Sequence, residues 1–166
     1  MRQTIERLLI AALLLTAVAL RLEAQKAPAR ALQISAENLS AHSPRHASSP
    51  RGDSLHVLPG DTLRYRLLFT NVSTGAVHGI VVDNPIPAGL TYEPGSAKAD
   101  RADVAILFSI DGGATYSAMP MVDVDVAGKR EQQPASADKY THVRWTVRGV
   151  VPKGAQIHAE YDVQAK

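Results

Sequence analysis

The chain has 166 residues, enough for one ordinary domain and a tail; it is 45% hydrophobic but only 5% aromatic, so its core must be largely aliphatic. It contains no cysteine, which excludes a disulfide framework, a thiolate metal site, cysteine catalysis and a lipid-modified cysteine anchor. The formal charge of +2 includes no block of like charges, which argues against a nucleic-acid or membrane-surface footprint.

The N-terminal stretch reads as a signal peptide over residues 1–24. Arg2 and Arg7 form a positive start, and Leu8 to Leu20 is an apolar run of export-signal length, short for a bilayer span. Cleavage after Ala24 would leave Gln25 first, with Ala17-Val18-Ala19 as a second small-residue option. Export to a periplasmic, cell-surface or extracellular location is therefore expected, with no membrane association after cleavage. Loss of residues 1–24 removes three arginines and two glutamates, lowering the formal charge to +1.

Residues 25–53 read as a leader strand followed by a Ser/Pro-rich linker. Leu32, Ile34 and Ala36 alternate with Gln33, Ser35 and Glu37, the two-residue period of a strand, and residues 42–53 carry no period. Residues 54–166 read as one domain of short strands divided by turns. Pro59-Gly60-Asp61 turns into a long strand in which Leu63, Tyr65, Leu67 and Phe69 alternate with Arg64, Arg66, Leu68 and Thr70. Arginines two apart on such a strand belong to its solvated side, opposite the core. Further strands are expected over residues 77–84, closed by Pro85 and Pro87, then a short edge piece at 90–97, and 104–110. Asp111-Gly112-Gly113 makes a hairpin turn, residues 115–119 return from it, and Val122, Val124 and Val126 alternate with Asp123 and Asp125. Residues 128–139 read as a polar loop. Val143, Trp145 and Val147, then Ile157, Ala159, Tyr161 and Val163, form the inward rows of the last two strands. Outward Glu160 and Asp162 would pair with Arg64 and Arg66 if the strands are neighbours. No helical period is sustained after residue 25, so the fold class is all-β, an antiparallel β-sandwich.

The segment from Pro59-Gly60-Asp61-Thr62 through Tyr65, Thr70-Asn71, Val81-Val82-Asp83 and Ile86-Pro87-Ala88-Gly89-Leu90-Thr91-Tyr92 resembles the bacterial surface repeat called domain of unknown function 11. The likeness extends over roughly residues 54–165. It implies an immunoglobulin-like sandwich of exported and cell-wall proteins, often in tandem arrays, and no catalytic residues. One copy of the pattern is visible here, so a stalk built by this chain alone is not expected.

Motifs that would carry chemistry are sparse. Ser109 to Tyr116 fits the Asp-box of sialidase-type propellers with Tyr116 in place of the usual tryptophan, but a propeller needs one per blade. Asp100, Asp103, Asp111, Asp123 and Asp125 are candidate calcium oxygens without EF-hand spacing. His42, His46, His56, His78, His142 and His158 show no metal-binding pair. Arg51-Gly52-Asp53 reads as a chance tripeptide, and Asn38-Leu39-Ser40 and Asn71-Val72-Ser73 match a glycosylation pattern. No Gly-x-Ser-x-Gly elbow and no phosphate-cradling glycine loop occurs.

No catalytic, cofactor-binding or metal-ligating residue is therefore assigned, and no cofactor. The expected function is that of a non-enzymatic structural or adhesive module of the bacterial cell envelope. Its partner would be an envelope or extracellular protein or glycan, with self-association as an option and no nucleic acid. The contact regions would be residues 84–102 and 128–139, and then residues 31–40, for which pairing with their own sheet is favoured over a neighbour's edge by effective concentration. A carbohydrate- or calcium-dependent binding module is the alternative; a hydrolase using loop aspartates comes third.

Overall fold

The computed structural model describes residues 31–41 and 57–166. The expected signal peptide, residues 25–30, the expected Ser/Pro-rich linker, the Arg51-Gly52-Asp53 tripeptide, His42, His46 and His56 lie outside them. Within the described residues the protein is an all-β sandwich of antiparallel sheets. The larger sheet contains β1 (Leu32–Asn38), β2 (Thr62–Thr70), β10 (Gln156–Ala165) and β4 (Leu90–Tyr92) in that order, with β5 (Lys98–Ala99) also on β10. The smaller sheet is β3 (Val81–Pro85), β9 (His142–Val147) and β6 (Val104–Ser109). A separate hairpin joins β7 (Met121–Val126) to β8 (Lys129–Pro134).

The two-residue period sets the core. In the β2–β10 ladder Leu63, Tyr65, Leu67 and Phe69 lie opposite Val163, Tyr161, Ala159 and Ile157, so two apolar rows share one face. The smaller sheet answers with Val82, Trp145 and Ile106 in one cross-strand row. Trp145 is 2% exposed, and its ring centroid lies 5.8 Å from that of Tyr161 across the two sheets. Removing a ring of that size from a packed core costs about 3–5 kcal/mol. Tyr65 stacks on Tyr161 at 5.2 Å, while Tyr92 meets Phe108 at 5.0 Å. Two polar ties cross the core: Asn84 Nδ2 donates to the Tyr161 hydroxyl at 2.6 Å, and Trp145 Nε1 donates to the Lys98 carbonyl at 3.2 Å.

Turn chemistry supports these strands. Asp61 is fully buried; its Oδ2 accepts the Leu58 N–H at 2.8 Å and Asn38 Nδ2 at 2.9 Å, tying the turn before β2 to the end of β1. Asn71, also buried, donates Nδ2 to the Gly75 and Val151 carbonyls and accepts the Ser73 N–H, as expected for a residue that closes a strand.

Several elements differ from the sequence reading. The leader strand pairs within its own sheet, as the sequence reading favours, but as part of the sandwich body: it is the edge of the larger sheet, paired with β2 from Leu32↔Phe69 to Asn38↔Leu63, so the sandwich takes in chain from before residue 54. Its apolar row does not reach the core: Leu32 is 37% and Ile34 48% exposed, because the smaller sheet is too narrow to cover that edge. The valine row of β7 is not sandwich core either. Val122 and Val124 are half-buried and Val126 is exposed, in a hairpin that stands apart from both sheets. Residues 128–139 are not a loop; they hold β8 and a 3-10 turn at Ala137–Lys139. Every residue of β8 is exposed, so no burial pattern marks it in the sequence. The strand expected over 77–84 is confined to β3, with Gly79 in the left-handed region and Val77 bridging Val151 alone. The expected return strand at 115–119 contracts to one bridge, Ser117 to Phe108.

Candidate functional site

The outward side of the larger sheet carries both arginines of β2, as strand parity predicts. Arg64 lies opposite Asp162 and Arg66 opposite Glu160 in the β2–β10 register. The Arg64 guanidinium binds Asp162 through two bonds of 2.8 Å each and approaches Glu160 at 3.8 Å. Arg66 contacts Glu37 from β1 and Glu160 at 3.5 Å, while Lys98 from β5 closes on Glu160 at 2.8 Å. Three cations and three carboxylates thus neutralise one another across four strands. The Lys98 bond, and then the charge of Arg64, hold the Glu160 carboxyl below its usual range despite burial. Asp162 is held down first by its bond to Arg64, and that bond raises Arg64. An anion would have to displace a carboxylate from this ladder, so the arginine pair is a sheet-bracing device.

Beside the ladder runs a groove of about 600 Å³, with Leu68, Gln33 and His158 near the strands and Lys98 and Asp100 along its side. Sequence alternation placed Arg66, Glu160 and His158 on this outward side. It missed Glu37 and Lys98 as members of the ladder. Strand parity already put Glu37 on the right face, whereas β5 is only two residues long and leaves no periodic signal.

A second polar cluster lies on the outward side of the smaller sheet, around the Asp-box segment. Asp111 accepts the Thr115 N–H at 2.9 Å and the Thr115 hydroxyl at 2.5 Å, and the Ser109 hydroxyl at 2.7 Å. The Thr115 hydroxyl, then the Thr115 N–H, hold this carboxyl well below the usual carboxylate range. Gly112 and Gly113 turn the chain at φ of 73° and 90°, and a Cβ on Gly113 would meet the Tyr116 hydroxyl at 3.0 Å. Tyr116 then donates to Asp83 at 2.5 Å, and the Arg144 guanidinium sits 3.4 Å from the Tyr116 ring centre while bonding Asp83 at 2.6 Å. Asp83 and Arg144 are cross-strand partners in the β3–β9 register, a pair legible from strand parity but left unread in the sequence. The Tyr116 phenol is pushed up, first by burial and then by its bond to Asp83, away from nucleophilic use near neutral pH.

The five candidate calcium aspartates are dispersed. Asp103 bonds Arg101, Asp111 closes its own turn, Asp100 borders the groove, and Asp123 and Asp125 are exposed on β7. Among the described residues, no three His, Asp or Glu side chains gather where a metal ion would fit. His142 lies beside Tyr116, and His158 is exposed on β10. Of the expected contact regions, residues 84–102 place only β4 and β5 on the larger sheet and leave exposed turns between them, and 128–139 hold β8 of the hairpin and the 3-10 turn. No described helix is long and apolar enough to cross a membrane.

No family model matches the chain, and no curated protein sequence does. Among solved structures, the chain is similar to the pilus backbone protein RrgB from Streptococcus pneumoniae. One structure of it aligns at a TM-score of 0.36 and 13% identity, covering 83% of this chain and 46% of that one. A full-length structure of RrgB aligns at 0.35 and 15%, covering 82% of this chain and 20% of that one. The chain thus spans less than half the length of either.

Proposed function

We infer that this chain is an exported, non-catalytic structural or adhesive module of a bacterial cell envelope, acting through surface or strand-edge contacts. The observation that supports this reading best is the arrangement of its ionisable groups. The carboxylates and arginines of both sheet faces are bound to one another in ladders and turns, and the shifted carboxyls are lowered rather than poised near neutrality. Acid–base catalysis needs a group free to move a proton, whereas a load-bearing or adhesive module needs braced sheets and an open edge. Export follows from the signal-peptide reading of residues 1–24, and the envelope setting from the resemblance to the bacterial surface repeat.

The test is to fractionate expressing cells, sequence the mature N-terminus, and identify what copurifies with the tagged protein from the envelope. Recovery outside the cytosol with residues 1–24 removed is the expected result; cytosolic recovery with Met1 intact sinks the reading.

The groove beside Leu68, Lys98, Asp100 and His158 favours the carbohydrate-binding alternative, since it combines an apolar floor with polar rims. Thermal shift against a glycan panel, with and without calcium, separates the two. A saturable shift abolished by His158→Ala supports glycan binding; none leaves the contact module.

A further inference from the structure

The strand edges of this molecule are unequally protected. β3 ends on Pro85, which has no N–H to offer, and a second proline follows at Pro87. β6 is bridged at Phe108 by Ser117 in both directions. β4 and β5 are three and two residues long. β7 carries Asp123 and Asp125, which would oppose like charges in the centred antiparallel self-pairings, and β8 carries Lys129, Arg130 and Pro134.

β1 has none of these guards. It is seven residues long, contains no proline, and presents one charge, Glu37, already engaged by Arg66. The Thr70 N–H bonds the Ala31 carbonyl and the Leu39 N–H bonds the Thr62 carbonyl, so the odd-numbered residues of this segment face β2. Leu32, Ile34 and Ala36 therefore aim their N–H and C=O groups away from the sheet. The same three side chains form the exposed apolar row.

We propose that β1 pairs antiparallel with β1 of a second copy of this chain, about a two-fold axis at Ser35, joining two larger sheets into one. The proposal rests on the contact reading above and names its partner. In this register Ile34 opposes Ala36 of the other copy in a hydrogen-bonded pair. Ile34 of each copy then covers Ala36 of the other and meets the other Ile34 on the diagonal, while Leu32 falls opposite Asn38 of the other copy, on the face the smaller sheet leaves bare. On the outward side Gln33 opposes Glu37 and Ser35 opposes Ser35, so no like charges meet. The same patch serves both partners, as closed two-fold association requires. A contact of this size belongs to the weak, reversible class, with micromolar dissociation.

The absence of native cysteine makes the register testable in the full chain from an export-competent host. In a non-hydrogen-bonded antiparallel pair the Cα atoms lie about 4.5 Å apart, within the disulfide range of about 4.4–6.8 Å. Ser35→Cys should therefore give a covalent dimer on mild oxidation. Gln33→Cys should not, because its two copies would be offset by four residues, about 13 Å along the strands. Sedimentation velocity should show a reversible dimer at micromolar concentrations that Ile34→Lys abolishes without moving the melting temperature. A monomer at every concentration, or equal cross-linking of the two cysteine variants, overturns the pairing. A monomer found in an envelope complex would leave the envelope role standing; a cytosolic dimer would support the pairing while sinking export.

Discussion

The bond from Asn84 to Tyr161 is the sharpest place to test the physics of this sandwich. It joins β3 of the smaller sheet to β10 of the larger one at 2.6 Å, and both residues are buried, Asn84 at 6% exposure and Tyr161 at 0%. Tyr161→Phe keeps the ring and its stacking on Tyr65 but leaves the Asn84 Nδ2 donor without its acceptor. An unsatisfied buried polar group of this kind costs about 1–3 kcal/mol. With a urea slope of about 1–3 kcal/mol/M, the midpoint should fall by roughly 1 M. Asn84→Leu should cost a similar amount by stranding the hydroxyl. The double variant should cost less than the sum by about 1 kcal/mol, because neither polar group then remains to be desolvated. Urea unfolding is followed through Trp145, the single tryptophan, whose emission should shift to the red as it leaves the core. Burial also raises the Tyr161 phenol above its ordinary value. The stability it contributes is complete below the unfolded value near pH 10 and is lost as pH rises from there toward the folded value. Tyr161→Phe should therefore flatten part of the alkaline loss, with Tyr65, Tyr116 and Tyr140, also raised mainly by burial, retaining the remainder. A Tyr161→Phe change within about 0.5 kcal/mol of the parent, or a strictly additive double variant, would refute the assignment.

Three further outcomes follow from the same geometry. Glu160 and Asp162 titrate below their unfolded values, so their contribution is present above about pH 4 and disappears as pH falls through the folded values; Asp162→Asn should cost about 1 kcal/mol at neutral pH and shrink the acid-induced loss, read by melting temperature against pH. Ala127 holds φ of 54° beside Gly128 at 81°, the left-handed pair of a two-residue hairpin turn; Ala127→Asn should slow amide exchange in β7 and β8 by up to about tenfold while leaving the global midpoint in place. Asp111→Asn removes the charge that gathers Thr115 and Ser109, so the Thr115 amide should exchange faster while Trp145 emission stays unchanged.

The two-residue rows of β2, β9 and β10 were legible because each strand is buried on one side and wet on the other. That contrast alone identifies Leu63, Leu67, Val143, Trp145, Tyr161 and Val163 as core, and puts Arg64, Arg66, Glu160 and Asp162 outside. The bracing role of Arg64 also followed from parity once the neighbour was known. β8 was not legible, since a strand exposed on both sides carries no alternation to read. β7 misled in the opposite way: its valines alternate as a core strand's do, yet only the tertiary arrangement leaves Val122 and Val124 half-covered and Val126 exposed on a hairpin. β1 alternates equally well, and its apolar row stays exposed because a three-stranded sheet cannot cover the edge of its wider partner. Periodicity reports which side of a strand is apolar. What lies against that side is a long-range property, set by how wide each sheet grows and where it stops.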